Sequence, residues 1–329
     1  MKFGIVILTF AVACMSCSRP FLSEKIAVIL DTDANNELDD QHAIAYMLFS
    51  GDNFQVEGIT VNRTDNGGDI YEQAQEAERV VKLCGLHETV SVTKGASGNY
   101  AEIKDQLDQP DFDGVEAVNL IITKSHRNSG EKLLLLPVGK LTNIALALKK
   151  DPAIIPKVKV LWLGSNYPEP GEYNQVNDES AVNAVLNSRV EFEIALVRYG
   201  KPSGTDAVRV TPHEIFEHMP GLGPDILQPV TGRHGGEFAS FGDYSVNLFE
   251  HIDLYGDPPS RALFDMAAVA IAKNPAWAQP DTISAPVLVN GEWQENPDNE
   301  RKIIIWEYFD RDAIMADFYD TMENYRLAE

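Results

Sequence analysis

Between Lys25 and Tyr46 the chain reads KIAVILDTDANNELDDQHAIAY, an apolar run that ends in four aspartates, Asp31, Asp33, Asp39 and Asp40, just before a helix-forming stretch. Carboxylates crowded this closely repel one another unless a hard cation neutralises them, and an all-oxygen donor set suits Ca²⁺ or Mg²⁺ better than zinc. Favourable charge at a helix N-terminus would account for Asp39 or Asp40, but not for the pair upstream. An EF-hand loop fits poorly: Asp31, Asp33 and Asn35 have its spacing, yet Asn36 stands where glycine is required and His42 where the bidentate glutamate belongs.

Such a loop must be carried by something rigid. From Lys25 onward, short β-branched runs (KIAVIL, VEGITV, TVSVTKG, KLLLLPV, KVKVLWLG and FEIALVRYG) alternate with segments of helical period at 70–84, 115–126, 141–150 and 178–188. This is the pattern of βαβ units and predicts an α/β fold: an open, mostly parallel sheet flanked by helices. A strand that runs into a polar loop and then a helix delivers the loop to the carboxyl edge of such a sheet, where ligand sites collect. The stretch from Pro220 to Pro259 is rich in Gly, Pro, His and aromatics, with weak periodicity until about Tyr244, as expected of a binding loop. After it come a helix containing Asp265, a final strand from RKIIIWEYF and an amphipathic C-terminal helix.

The 329 residues are 44% hydrophobic and carry a formal net charge of −23, which describes a globular chain and argues against a nucleic-acid partner. The absence of a repeat or a linker predicts a single domain over 21–329. Residues 1–20, MKFGIVILTFAVACMSCSRP, have one basic residue before a short apolar run and then small residues, which reads as an export signal. Cys17 or Cys14 is placed to be the acylated first residue of a bacterial lipoprotein, so the expected location is the periplasm or cell envelope, with membrane contact only through the lipid. Cys84 is then the one cysteine left, a buried thiol by expectation. A homo-oligomer is compatible with the sequence but not specified by it.

Several segments together resemble the calcium-dependent nucleoside hydrolases of the inosine-uridine-preferring type. The aspartate cluster resembles that family's D-x-D-x-G-x-D-D opening. LLPVGKLTNIALALKKDPAIIPKVKVLWLGS is similar to its P-x-G-x-L-T-N-I-A segment, NYPEPGEYNQVNDESAV to its N, E-F-N, D-P-E-A-A stretch, and ALFDMAAVA to its H-D-x-x-A-V-A segment. The resemblance implies hydrolysis of the N-glycosidic bond of a ribonucleoside to ribose and free base, using water held by Ca²⁺. It makes Asp33 both a metal ligand and the general base. Asp40 and Asp265 would be metal ligands, and the Val138 carbonyl a main-chain one. Asp39, Asn166, Glu172 and Asn174 would bind the ribose hydroxyls, while Asp31 orders the loop.

Three departures qualify it. ANNEL makes the loop between Asp33 and Asp39 two residues longer, so either it bulges or Asn36 or Glu37 becomes a ligand. Phe264 stands where many members have a histidine associated with protonating a purine leaving group, and Tyr173 replaces a phenylalanine. The replacement acid expected from the sequence is His234, with Asp243 and Tyr244 behind it. His42 reads as a packing residue, and Trp162 as core with base stacking as the alternative. Two other readings compete: phosphoryl transfer of the haloacid-dehalogenase kind, which leaves Asn166, Glu172 and Asn174 without a use, and a non-catalytic, calcium-dependent ribose- or nucleoside-binding lipoprotein.

Overall fold

The structure, a computed structural model, describes residues 25–127 and 130–328; the expected leader with Cys14 and Cys17 lies outside the described residues. Six parallel strands form in chain order: β1 (Ile26–Thr32), β2 (Phe54–Val61), β3 (Val92–Lys94), β4 (Leu133–Pro137), β5 (Val158–Leu163) and β6 (Glu191–Ala195). The eight-stranded main sheet runs Gln279–Ser284, Lys302–Glu307, β6, β5, β4, β1, β2, β3. Lys302–Glu307 is parallel to β6, and Gln279–Ser284 closes that edge antiparallel. The expected open, mostly parallel sheet is therefore present. The Gln279–Ser284 strand was not anticipated, because QPDTIS has neither apolar alternation nor a β-branched run and is exposed over most of its length.

The sheet is buried on both faces. Along β1, Val28 and Leu30 point into one apolar core and Ile29 into the other, so the uninterrupted apolar run is what a two-sided strand requires. The four helices expected from periodicity form at Ile70–Leu83, Val115–Arg127, Thr142–Lys150 and Glu179–Asn187. Asp69 and Glu72 close a capping box on the first of them. Cys84 is a buried free thiol. Trp162 is fully buried, stacks on Phe192 and donates its indole N–H to the Gly139 carbonyl at 3.0 Å, so it is core rather than a base platform. Among the described residues no helix is long and apolar enough to cross a membrane.

The segment expected to be irregular is more ordered than its composition implied. It holds a two-stranded ribbon pairing Val230–Thr231 with Glu237–Phe238, then the helix Phe241–Glu250. A buried polar link ties it to the body: Tyr244 Oη donates to Glu76 Oε1 at 2.5 Å, and Gln41 Nε2 donates to the same oxygen at 3.0 Å. Arg79 pairs with Glu76 and donates through Nε to the Thr231 carbonyl at 2.7 Å. His42 is likewise structural, held between the Leu38 carbonyl (2.6 Å) and Ser245 Oγ (2.7 Å). Burial pushes its pKa down to about 4, so the ring is neutral near pH 7.

Candidate active site

β1 ends at the carboxyl edge of the sheet and hands its aspartates to a loop that enters the Asp39–Phe49 helix. Asp31 is still in the strand and is consumed there. It accepts from Thr60 Oγ1 at 2.6 Å, Asn62 Nδ2 at 3.0 Å and Asn143 Nδ2 at 2.7 Å. Asn143 opens the Thr142–Lys150 helix, accepts from the Ala96 amide at 2.9 Å and donates to the Val61 carbonyl at 3.1 Å, so one side chain ties the ends of β1, β2 and β3 together. Asp33 accepts from Thr64 Oγ1. A Cβ at Gly139 would stand 2.8 Å from Asp33 Oδ1, so the glycine is what lets the chain after β4 pass this carboxylate.

Asp39 and Asp40 come from the helix N-terminus, and Asp265 from the start of the helix Phe264–Lys273, which packs against the first. Each of the three buried side chains offers one oxygen, all within 4.8 Å of one another. Burial, and then the neighbouring like charges, hold Asp40 and Asp265 well above the ordinary carboxylate range. Burial pushes Asp33 up to about 6 and Asp31, Asp39 and Glu172 up to about 7. Three mutually repelling buried carboxylates, all hard oxygen donors, fit a divalent cation.

The carboxylates line one side of a cavity of about 880 Å³. Asp33, Asp39, Asp40, Val138, Glu172, Asn174 and Asp265 all reach its wall, so seven of the eight residues that the resemblance assigned to metal or ribose converge there. Asn174 Nδ2 donates to the Val138 carbonyl at 2.7 Å, leaving that oxygen a second lone pair. Glu172 caps the short helix Tyr173–Asn177, accepting from the amides of Ser165 (2.8 Å), Asn174 (3.0 Å) and Gln175 (2.8 Å). It is therefore a scaffold residue as well as a wall residue.

Two expected residues are placed elsewhere. Asn166 is not part of the wall: it accepts from the Tyr199 amide at 3.2 Å and donates to the Pro170 carbonyl at 3.3 Å, bracing the loop behind the site. His234 does not reach the wall either; it is exposed and stacks on His251 with centroids 4.7 Å apart. Its neighbour Arg233 turns the other way and donates to the Glu37 carbonyl at 2.9 Å. Asp243 accepts from the Gly221 amide, and Tyr244 is committed to Glu76.

Asn36 and Glu37 of the longer loop both reach the cavity wall. Asn35 is tied outward to Gln73 and to the Gly67 carbonyl, and Glu37 pairs with Arg261 instead of joining the three carboxylates. Wall residues that the sequence did not single out include Tyr199, Asp206, Arg209, Tyr255 and Arg261. Tyr199 meets Phe264 edge-on at 5.8 Å and 86°. Burial, with the nearby charges of Glu172 and Asp39, pushes its phenol up. These residues come from irregular segments and short elements, so no periodic signal marked them.

An open α/β sheet with a buried carboxylate cluster and a cavity at its carboxyl edge defines a small-molecule site with donors for a divalent cation. Residues 28–316 match the family model of the inosine-uridine preferring nucleoside hydrolases, and the chain belongs to that family. It is 28% identical over 187 residues to the inosine-uridine preferring nucleoside hydrolase of Crithidia fasciculata, covering 49% of this chain and 56% of that protein. It is 35% identical over 198 residues to the pyrimidine-specific ribonucleoside hydrolase RihB of Shigella sonnei, covering 56% of this chain and 57% of that one. The chain thus spans little more than half the length of these curated relatives. Its fold is similar to that of a purine-preferring ribonucleoside hydrolase from Gardnerella vaginalis, with a TM-score of 0.68 at 20% identity, covering 90% of this chain and 98% of the other.

Proposed function

We propose that this protein hydrolyses the N-glycosidic bond of ribonucleosides to ribose and free base, with Ca²⁺ held by Asp39, Asp40 and Asp265 and completed by Asp33 and the Val138 carbonyl. The observation that carries this reading is the triad of buried carboxylates on a cavity wall that Asp33, Glu172 and Asn174 share. Ca²⁺ suits the site better than Mg²⁺ because it accepts many oxygen ligands in flexible geometry. When bound, the cation lowers the pKa of a water and orients the ribose diol.

The chain's own groups do the rest. Asp33, fixed by Thr64, takes the proton from the attacking water. Asp39 and Glu172 lie beside the position of the sugar, where positive charge develops as the bond to the base lengthens. Asn174 holds its amide nitrogen on the Val138 and Leu163 carbonyls, which leaves Oδ1 to accept from a ribose hydroxyl. Asn166 acts one layer back by fixing the Tyr199 backbone.

Asn174→Ala should raise KM for ribosides about tenfold, the cost of about one lost polar contact, with calcium affinity nearly unchanged. An equal loss of calcium would make Asn174 a structural support for the metal loop instead. The function itself is tested by incubating the protein with a panel of ribosides, with and without a chelator, and measuring free ribose. Chelator-sensitive ribose release is expected; calcium-dependent binding without release from any riboside would favour the binding-protein reading. Export and acylation at Cys17 or Cys14 belong to the same proposal, and labelled fatty acid should stay with the mature chain through one of those cysteines.

A further inference from the structure

The wall of the cavity is strongly unbalanced in charge. Seven carboxylates line it against three cationic side chains. Arg261 is paired with Glu37, Arg209 with Asp206 at 2.8 Å, and Lys201 with Glu169 outside the wall. Asp33, Asp39, Asp40, Glu172 and Asp265 therefore have no cationic partner on the wall. Lys140 and Arg233 act on Asp33 and Asp40 only from behind it. A bound divalent cation favours the ionised forms of these carboxylates and offsets two charges, so five carboxylates leave the wall with acidic oxygens beyond those the metal neutralises.

The side on which a leaving group must lie has a second property. None of the seven histidines lines the cavity. Phe264, which adjoins the metal-cluster residue Asp265, offers a hydrocarbon ring and no proton, and Tyr199 stands against it edge-on. The hydroxyls on the wall are the phenols of Tyr173, Tyr199 and Tyr255, and burial pushes those of Tyr173 and Tyr199 up, which makes them weaker acids still. A neutral purine or pyrimidine leaves poorly without a proton donor. A leaving group that is already cationic needs none, and an aromatic wall in a negative cavity attracts it.

Resting on the hydrolase reading, we propose that the preferred substrates are ribosides of a cationic heterocycle, the N-ribosylpyridinium class, with Tyr199 and Phe264 contacting the charged ring. In the reaction the bond between the anomeric carbon and the ring nitrogen breaks, and its electron pair goes to the nitrogen. The positive charge passes from ring to sugar and the heterocycle departs as a neutral pyridine. Water adds to the anomeric carbon, and the proton it sheds goes to Asp33. The overall change is riboside cation plus water to ribose, neutral pyridine and one proton, with no acid acting on the leaving group.

The test compares three substrates on the calcium-loaded protein: a carboxamide-substituted N-ribosylpyridinium, inosine, and a neutral nitrophenyl riboside. The pyridinium should exceed inosine in kcat/KM by about a hundredfold, the size of effect a missing general acid produces. Its KM should rise with added salt while that of the nitrophenyl riboside does not. Tyr199→Leu should raise KM about fivefold for the pyridinium and less for the nitrophenyl compound. Phe264→His should narrow the gap by improving inosine. If inosine or the nitrophenyl riboside turns over but the pyridinium is slower than inosine, the inference is wrong while the hydrolase reading stands. If none of the three releases ribose, the hydrolase reading itself fails.

Discussion

Asp40→Ala and Asp265→Ala each lose calcium binding and, with it, ribose release by on the order of 10³-fold or more. That magnitude follows from the several kcal/mol that a catalytic cation contributes at about tenfold in rate per 1.4 kcal/mol. The wild-type protein at a calcium concentration about a hundred times Kd gains about 2.7 kcal/mol of stability, read as a rise in Tm. Neither variant should show that rise. The sign reverses without metal: removing one of three buried, mutually repelling carboxylates should make the calcium-free variant more stable than the calcium-free wild type. The pH dependence shares this origin. Burial raises Asp31, Asp33, Asp39 and Glu172 to about 6 or 7 in the folded protein, so it binds more protons than the unfolded chain. Their contribution to calcium-free stability is full below about pH 4 and is lost as pH rises through about 7. Unfolding in a chelator across that window, set against the same series in calcium, measures it. A calcium-free protein that gains stability from pH 4 to pH 7 would contradict the assignment.

Asp33→Asn separates proton transfer from metal binding. The amide keeps an oxygen donor in place but cannot take a proton at neutral pH, so kcat should fall by about 10²–10⁴ while the calcium-induced rise in Tm largely survives. The three carboxylates within 4.8 Å of one another come from Asp39, Asp40 and Asp265, which is why the cation should remain. Loss of the calcium shift in this variant would make Asp33 an indispensable ligand and leave its role as the base without support. Full activity would remove Asp33 from the role of base and pass it to Asp39, the member of the carboxylate cluster placed beside the sugar.

Which parts of this were legible in the sequence follows from the range of the forces involved. The apolar run Ile26–Leu30, the helical period of 70–84 and the aspartates between them are local patterns, and local patterns are what strands, helices and charged loops are made of. They determined the parallel sheet, its central strand and a metal-type loop at its carboxyl edge. Only the tertiary structure decided which distant residues complete that loop. Asp265 meets Asp39 and Asp40 because two helices pack side by side, and Glu37 stands apart from that cluster, on the same wall, paired with Arg261. Tyr199 takes its place opposite Phe264 through Asn166 and the backbone after β6, a stretch with no periodicity to read. His234 was promising by type and position, yet the ribbon that carries it aims Arg233 inward and stacks the histidine on His251 outside. Side-chain direction in a loop depends on long-range contacts that anchor it, here Tyr244 on buried Glu76, and the identity of the residue alone does not contain that information.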